Sequence, residues 1–121
     1  MYLYSQISVG FIALQHITFL ILEMFFWSKP VGIKMFKLDP DFAKASAFLA
    51  KNQGLYNGFL AAGLIWSLMT PDLILAQQLQ TFFLSCIVVA GIYGAMTASI
   101  GILFIQALPA GVALLIMFFR T

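Results

Sequence analysis

The chain has 121 residues, of which 63% are hydrophobic and only 8% charged, with a net charge of +2 and a mean hydropathy of +1.03. A soluble globular domain carries roughly 25% charged residues and about 45–50% apolar ones, so composition excludes one and reads as an integral membrane protein. Seven of the charges fall between Lys29 and Lys51, a clustering that speaks of membrane orientation and excludes nucleic acid as a partner.

A span needs about 20 mostly apolar residues. The first covers about residues 2–27. It lacks a basic leader region and a small-residue cleavage site, so it is expected to stay in the mature protein. A loop follows and ends in Asp39-Pro40-Asp41, a helix-start signal with Asp as N-cap, Pro at the first helical position and Asp in the first turn. The second helix then runs from Pro40 to about Met69, its span being about residues 45–69. Thr70-Pro71-Asp72 repeats the start signal for a third helix, spanning about 79–97. Gln77, Gln78 and Gln80 at its head suit the headgroup region. The remaining apolar run is too long for one span, so a tight turn is expected near Thr97–Gly101, with the fourth span at about 101–119. The expected fold is all-α: one integral membrane domain over residues 1–121, a bundle of four transmembrane helices.

Lysine and arginine near span ends set orientation. The first loop and its margins hold Lys29, Lys34, Lys37, Lys44 and Lys51, and only Arg120 competes from the other side. The loop is expected in the cytoplasm and both termini outside, in the bacterial inner membrane. Cys86 is the only cysteine, which rules out an intrachain disulfide, and it reads as packing.

Helical residues step about 100° around the axis and 1.5 Å along it. On the first span Gln6, Val9, Ala13, His16, Leu20, Glu23 and Trp27 fall in one stripe. On the second, Asn52, Gln53, Tyr56 and Asn57 are expected to share a face, with Gly54, Gly58 and Ala62 as a small-residue ridge opposite. That ridge is expected to pack on Ala90, Gly94 and Ala98 of the third span. Lys51 reads as snorkelling to the cytoplasmic interface. Counted from that side, Glu23 comes level with Asn52 and Gln53, and His16 with Tyr56 and Asn57. Tyr93 and Gln106 fall in the same half, so four helices each send a polar group to one depth. Pro109 inside the fourth helix is expected to free the Ile105 carbonyl or to act as a plain membrane-helix proline.

The stretches HITFLILEMFFW, NQGLYNGFLAAGL, AGIYGAMT and QALPA resemble the successive motifs of a bacterial family of small four-span integral membrane proteins. The family is the domain of unknown function numbered thirteen hundred and four, some members of which are labelled epimerase. The likeness runs nearly end to end, and NQGLYNGFLAAGL is its most specific block. Carried over residue by residue, the motif positions are His16, Glu23, Asn52, Gln53, Tyr56, Asn57, Tyr93 and Gln106. The resemblance implies a family and no established reaction. The chain carries no dinucleotide fingerprint and no sugar-nucleotide domain to match the epimerase label.

An ionisable group within a span costs roughly 2.5–3.5 kcal/mol on insertion scales and is functional by default. Glu23 is therefore the leading candidate, against the alternative of a structural carboxyl held by Asn52 and Gln53. His16 reads equally as a partner of Glu23 or as an interhelical hydrogen bond, and the carboxamides equally as ligand contacts or as glue. Tyr93 and Gln106 read as packing and hydrogen-bonding residues. A metal site would need a third ligand beside His16 and Glu23, so neither metal nor cofactor is expected. Three function classes remain. One is a site for a small amphipathic or lipid-like molecule, with Glu23 and His16 as an acid–base pair. The second is a proton-coupled small-molecule transporter, and the third a structural or partner-binding membrane protein. The expected partners are the lipid bilayer and a small amphipathic ligand, with homo-oligomerisation left open.

Overall fold

The computed structural model describes residues 2–119. Arg120, the single external cation of the orientation argument, lies outside the described residues, as do Met1 and Thr121. All regular structure among the described residues is helical: α1 (Tyr2–Phe25), α2 (Pro30–Phe36), α3 (Pro40–Met69), α4 (Leu73–Thr97), a π-helical turn (Leu103–Ala107) and α5 (Leu108–Phe118).

The helix boundaries follow from local chemistry. α3 opens where the Asp39-Pro40-Asp41 signal predicts, with the Phe42 amide donating to Asp39 Oδ2 at 3.1 Å. α4 differs in detail. Asp72 itself is the N-cap, accepting from the Ile74 and Leu75 amides at 3.0 and 3.1 Å, while the Thr70 hydroxyl accepts from the Asp72 amide. Pro71 thus stands before the helix, where its missing N–H costs nothing. The long apolar run breaks where Ser99 and Gly101 interrupt it: the Ala98 and Ser99 amides fold back onto the Gly94 carbonyl. Past the turn the chain departs from expectation. The irregularity precedes Pro109 and takes the form of a π turn, with the Leu108 amide reaching back five residues to Leu103 O. Pro109 then sits in the first turn of α5.

Among the described residues two helices are long and apolar enough to cross a membrane, Leu3–Phe25 and Leu73–Thr97. The other two expected spans do not meet that measure, for separate reasons. α3 is long, but Asn52, Gln53 and Asn57 dilute its apolar character, and the last apolar helix, Leu103–Phe118, is shorter.

The chain divides into two compact units, one of Leu14–Ala61 and one of Met1–Ala13 with Ala62–Thr121. In the Ala62–Thr121 unit α4 turns Ala76, Gln80, Leu84, Ile87 and Gly91 inward, and α5 buries Ala110, Ala113 and Met117. Gly91 lies against Ala107 and Gly94 against Ile102, so α4 packs on the segment that follows it. Gly63 of α3 meets the ring of Phe83. Gln80 is 2% exposed and its Oε1 is buried without a hydrogen-bond partner, so it belongs to the packed face of α4.

In the Leu14–Ala61 unit the ridge of Gly54 and Gly58 packs on α1 rather than on α4. A Cβ at Gly54 would stand 2.7 Å from Met24 Cγ and 3.1 Å from Leu20 O, and one at Gly58 would stand 2.6 Å from Leu20 Cδ1. The ridge continues to Ala61, which is buried, and not to Ala62, which is exposed, as are Ala90 and Ala98. The small residues form an approach surface as expected, but it is α1 that meets α3 there.

α2 is absent from the sequence expectation. Pro30 starts it, and Lys37 ends it in the left-handed region at φ 53°, with the Leu38 amide donating to Ile33 O at 3.0 Å. Gly32 seats it: any Cβ there would strike the carbonyl of Phe26. Trp27 stacks on Phe36 with ring centroids 5.0 Å apart and donates Nε1–H to Ser46 Oγ at 2.9 Å. Gly32→Ala is expected to lift α2 off, since the obstacle is backbone, at a cost of about 1–3 kcal/mol. A red-shifted Trp27 emission in a Trp66→Phe background checks this, and an unshifted spectrum would show that α2 tolerates the methyl.

Candidate functional site

α1 carries a buried stripe of Ser5, Val9, Ile12, Ala13 and His16, with Glu23 half-buried further along it. Within the Leu14–Ala61 unit that stripe meets α3. Asn57 is 4% exposed and donates Nδ2–H to Glu23 Oε1 at 2.5 Å. The geometry follows from the glycines: Gly54 and Gly58 allow α3 to lie close on α1, which brings a short asparagine within reach of the carboxyl. A buried amide and a half-buried carboxyl in one helix interface satisfy each other.

The partner differs from the sequence expectation, which set Glu23 level with Asn52 and Gln53. Gly54 lies against Leu20, Glu23 Cβ and Met24, so Glu23 sits within about two residues of the expected level, and the partner changes because Asn57, not Asn52 or Gln53, faces inward. The expected common face of the four polar residues of α3 is also corrected. Asn52 and Asn57 are five steps apart, about 140° around the axis, whereas Asn57 lies within about 60° of Gly54. Asn57 therefore turns inward with the glycines, and Asn52, Gln53 and Tyr56 are exposed. Asn52 Nδ2 lies 3.5 Å from Tyr56 Oη on that outer face, and Tyr56 leans on Phe59.

His16 is fully buried two turns along α1 from Glu23, its ring edge-on to Phe19 at 5.4 Å. Tyr93 and Gln106 belong to the Ala62–Thr121 unit. Tyr93 is exposed and lines an open furrow on α4 with Phe82, Ser85, Cys86, Val89 and Ala90. Gln106 is half-buried inside the π turn. The structure thus brings Glu23 and Asn57 together, places His16 on the same buried stripe of α1, and turns the remaining amides of α3 outward. Gln80 was readable as polar but not as buried, because a glutamine's cost says nothing about its depth. No group of three or more His, Cys, Asp or Glu that could hold a metal ion occurs among the described residues.

Among known proteins, the chain is 29% identical over 110 residues to the uncharacterized protein YpaA of Lactococcus lactis subsp. lactis (strain IL1403), covering 89% of this chain and 91% of that protein. No solved structure matches. The profile of the family described as "Protein of unknown function (DUF1304)" matches residues 10–118, which takes in α1 from Gly10, α2, α3, α4 and all of α5, with both members of the Glu23–Asn57 pair. The chain belongs to that family.

Proposed function

We propose that this is a four-span protein of the bacterial cell membrane, with external termini and a cytoplasmic first loop. Its Glu23–Asn57 pair is the polar centre of a site for a small amphipathic or lipid-like molecule. The membrane reading is supported by Leu3–Phe25 and Leu73–Thr97, of which only 28% and 22% is buried. A soluble core helix of that apolarity would be mostly covered, whereas these turn most of their side chains outward. The site reading is carried by one observation: a carboxyl inside a candidate span, held by an amide of the neighbouring helix. Such a group is expensive to insert and is retained where it does something.

Mass spectrometry of molecules co-purifying with the detergent-solubilised protein tests this. A lipid-like molecule retained by the wild type and lost in both Glu23→Gln and Asn57→Leu supports the reading. Identical retention by all three proteins would sink it. The position of Glu23 in a candidate span also favours proton-coupled transport as a second reading, for which Glu23→Gln would abolish proton flux in proteoliposomes. A null result in both assays leaves the pair as a fastening between helices.

The orientation has its own check. Single cysteines at Lys34 and Thr121, in a Cys86→Ser background, are expected to react with a membrane-impermeant thiol reagent differently in intact cells. The terminal one is labelled and the loop one is protected. Labelling of the loop from outside would reverse the topology.

A further inference from the structure

We propose that α2 and its two flanking lysines form a binding face for anionic phospholipid headgroups; the inference rests on the membrane reading above. Gly32, Ile33 and Phe36 form the inner side of this helix, and Val31, Lys34 and Met35 its outer side. Val31 and Met35 are 45% and 60% exposed, an unmatched apolar pair on the outside of a seven-residue helix. Lys29 stands at its N-cap and Lys37 at its C-cap, both exposed, with Lys34 between them on the outer face. None of these three lysines is paired with a carboxylate among the described residues, and the nearby Asp39 is engaged in capping α3.

The depth of this face is set by covalent and packing constraints. α1 ends its candidate span at Phe25, and Gly32 presses α2 onto the backbone of Phe26 and Trp27. The helix is therefore held at the end of the span, where hydrocarbon gives way to headgroups. A helix lying in that plane inserts its apolar side chains at the acyl boundary and extends its lysines to the phosphates. Val31 and Met35 match the first requirement, and Lys29, Lys34 and Lys37 the second. A neutral surface would use only the apolar half of the face. An anionic lipid uses both, and this charge complementarity singles it out as the occupant.

The test is lipid preference in nanodiscs, comparing phosphatidylglycerol with phosphatidylcholine by native mass spectrometry of retained lipid. The wild type is expected to prefer phosphatidylglycerol, and Lys29→Gln/Lys34→Gln to lose at least about fivefold of that preference, the equivalent of one lysine at an anionic surface. Lys44→Gln/Lys51→Gln removes the same charge from α3 and is expected to lose much less. Equal losses in the two pairs would show diffuse charge attraction and overturn the site. Absence of any preference in the wild type would overturn it while leaving the membrane reading intact. Recovery of the protein in the soluble fraction without detergent would overturn the membrane reading itself, and this proposal with it.

Discussion

Glu23→Leu is expected to lower the melting temperature of the detergent-solubilised protein, while Glu23→Gln leaves it near that of the wild type. The leucine removes the carboxyl oxygen that accepts from the Asn57 amide, and Asn57 is too deeply buried to turn to solvent instead. An orphaned buried polar group costs about 1–3 kcal/mol. Glutamine keeps an oxygen at the same place, so the Asn57 N–H still has a partner. Asn57→Leu makes the reverse error and strands the Glu23 carboxyl at a similar cost. The double variant Glu23→Leu/Asn57→Leu has no polar group left to strand, so its loss is smaller than the sum of the two singles. Interhelical hydrogen bonds in membrane proteins contribute about 0.6 kcal/mol on average and up to about 1.7. A coupling near or above the top of that range is expected here, because both groups sit on a ridge closed by Gly54 and Gly58. Additivity to within about 0.5 kcal/mol would mean that the two side chains are indifferent to each other.

How much of this was legible in the sequence depended on which physical rule was in play. Helix existence and ends came from local signals that act over a few residues: Asp39-Pro40 starting α3, and Ser99 with Gly101 breaking an apolar run. The seven residues of α2 gave no such warning, since a helix that short has no period to read, and what holds it is Gly32 on a carbonyl outside the helix. Glu23 was legible by cost alone. Its partner was not, because residue type grouped Asn57 with Asn52 while rotation about the axis grouped it with Gly54. The same limit explains the small-residue ridge. A Gly-xxx-Gly pattern says that some backbone comes close but leaves the identity of the neighbour open, and here it is α1 and not α4. Depth on a helix can be counted from sequence only relative to that helix, whereas the register between α1 and α3 is a packing result.

Gly91→Ala, a single added methyl, is expected to destabilise the protein more than Gly94→Ala, the other glycine-to-alanine substitution on α4, whose Cβ would meet only side-chain atoms of Ile102 at 3.0 Å and beyond. The new Cβ at Gly91 would lie 2.6 Å from both Cβ and N of Ala107 and 2.9 Å from its Cα. Two of those three atoms are backbone, and Ala107 closes the π turn, so no flexible side chain can yield. Relief requires α4 and the π turn to separate, which loosens the closely packed contact of α4 with the segment that follows it. Overpacking of this kind costs about 1–3 kcal/mol. Ala107→Gly removes only the side-chain part of the clash and should not rescue the variant. Gly111→Ala supplies the control on the neighbouring helix. Nothing lies within 4 Å of a Cβ there, so the methyl meets open space and the gain in helix propensity of up to about 1 kcal/mol is left uncovered. The two substitutions are chemically identical and should move the melting temperature in opposite directions, Gly91→Ala down and Gly111→Ala level or up. Equal shifts would show that the α4–Ala107 approach is looser than its geometry, and that the π turn is free to move away from Gly91.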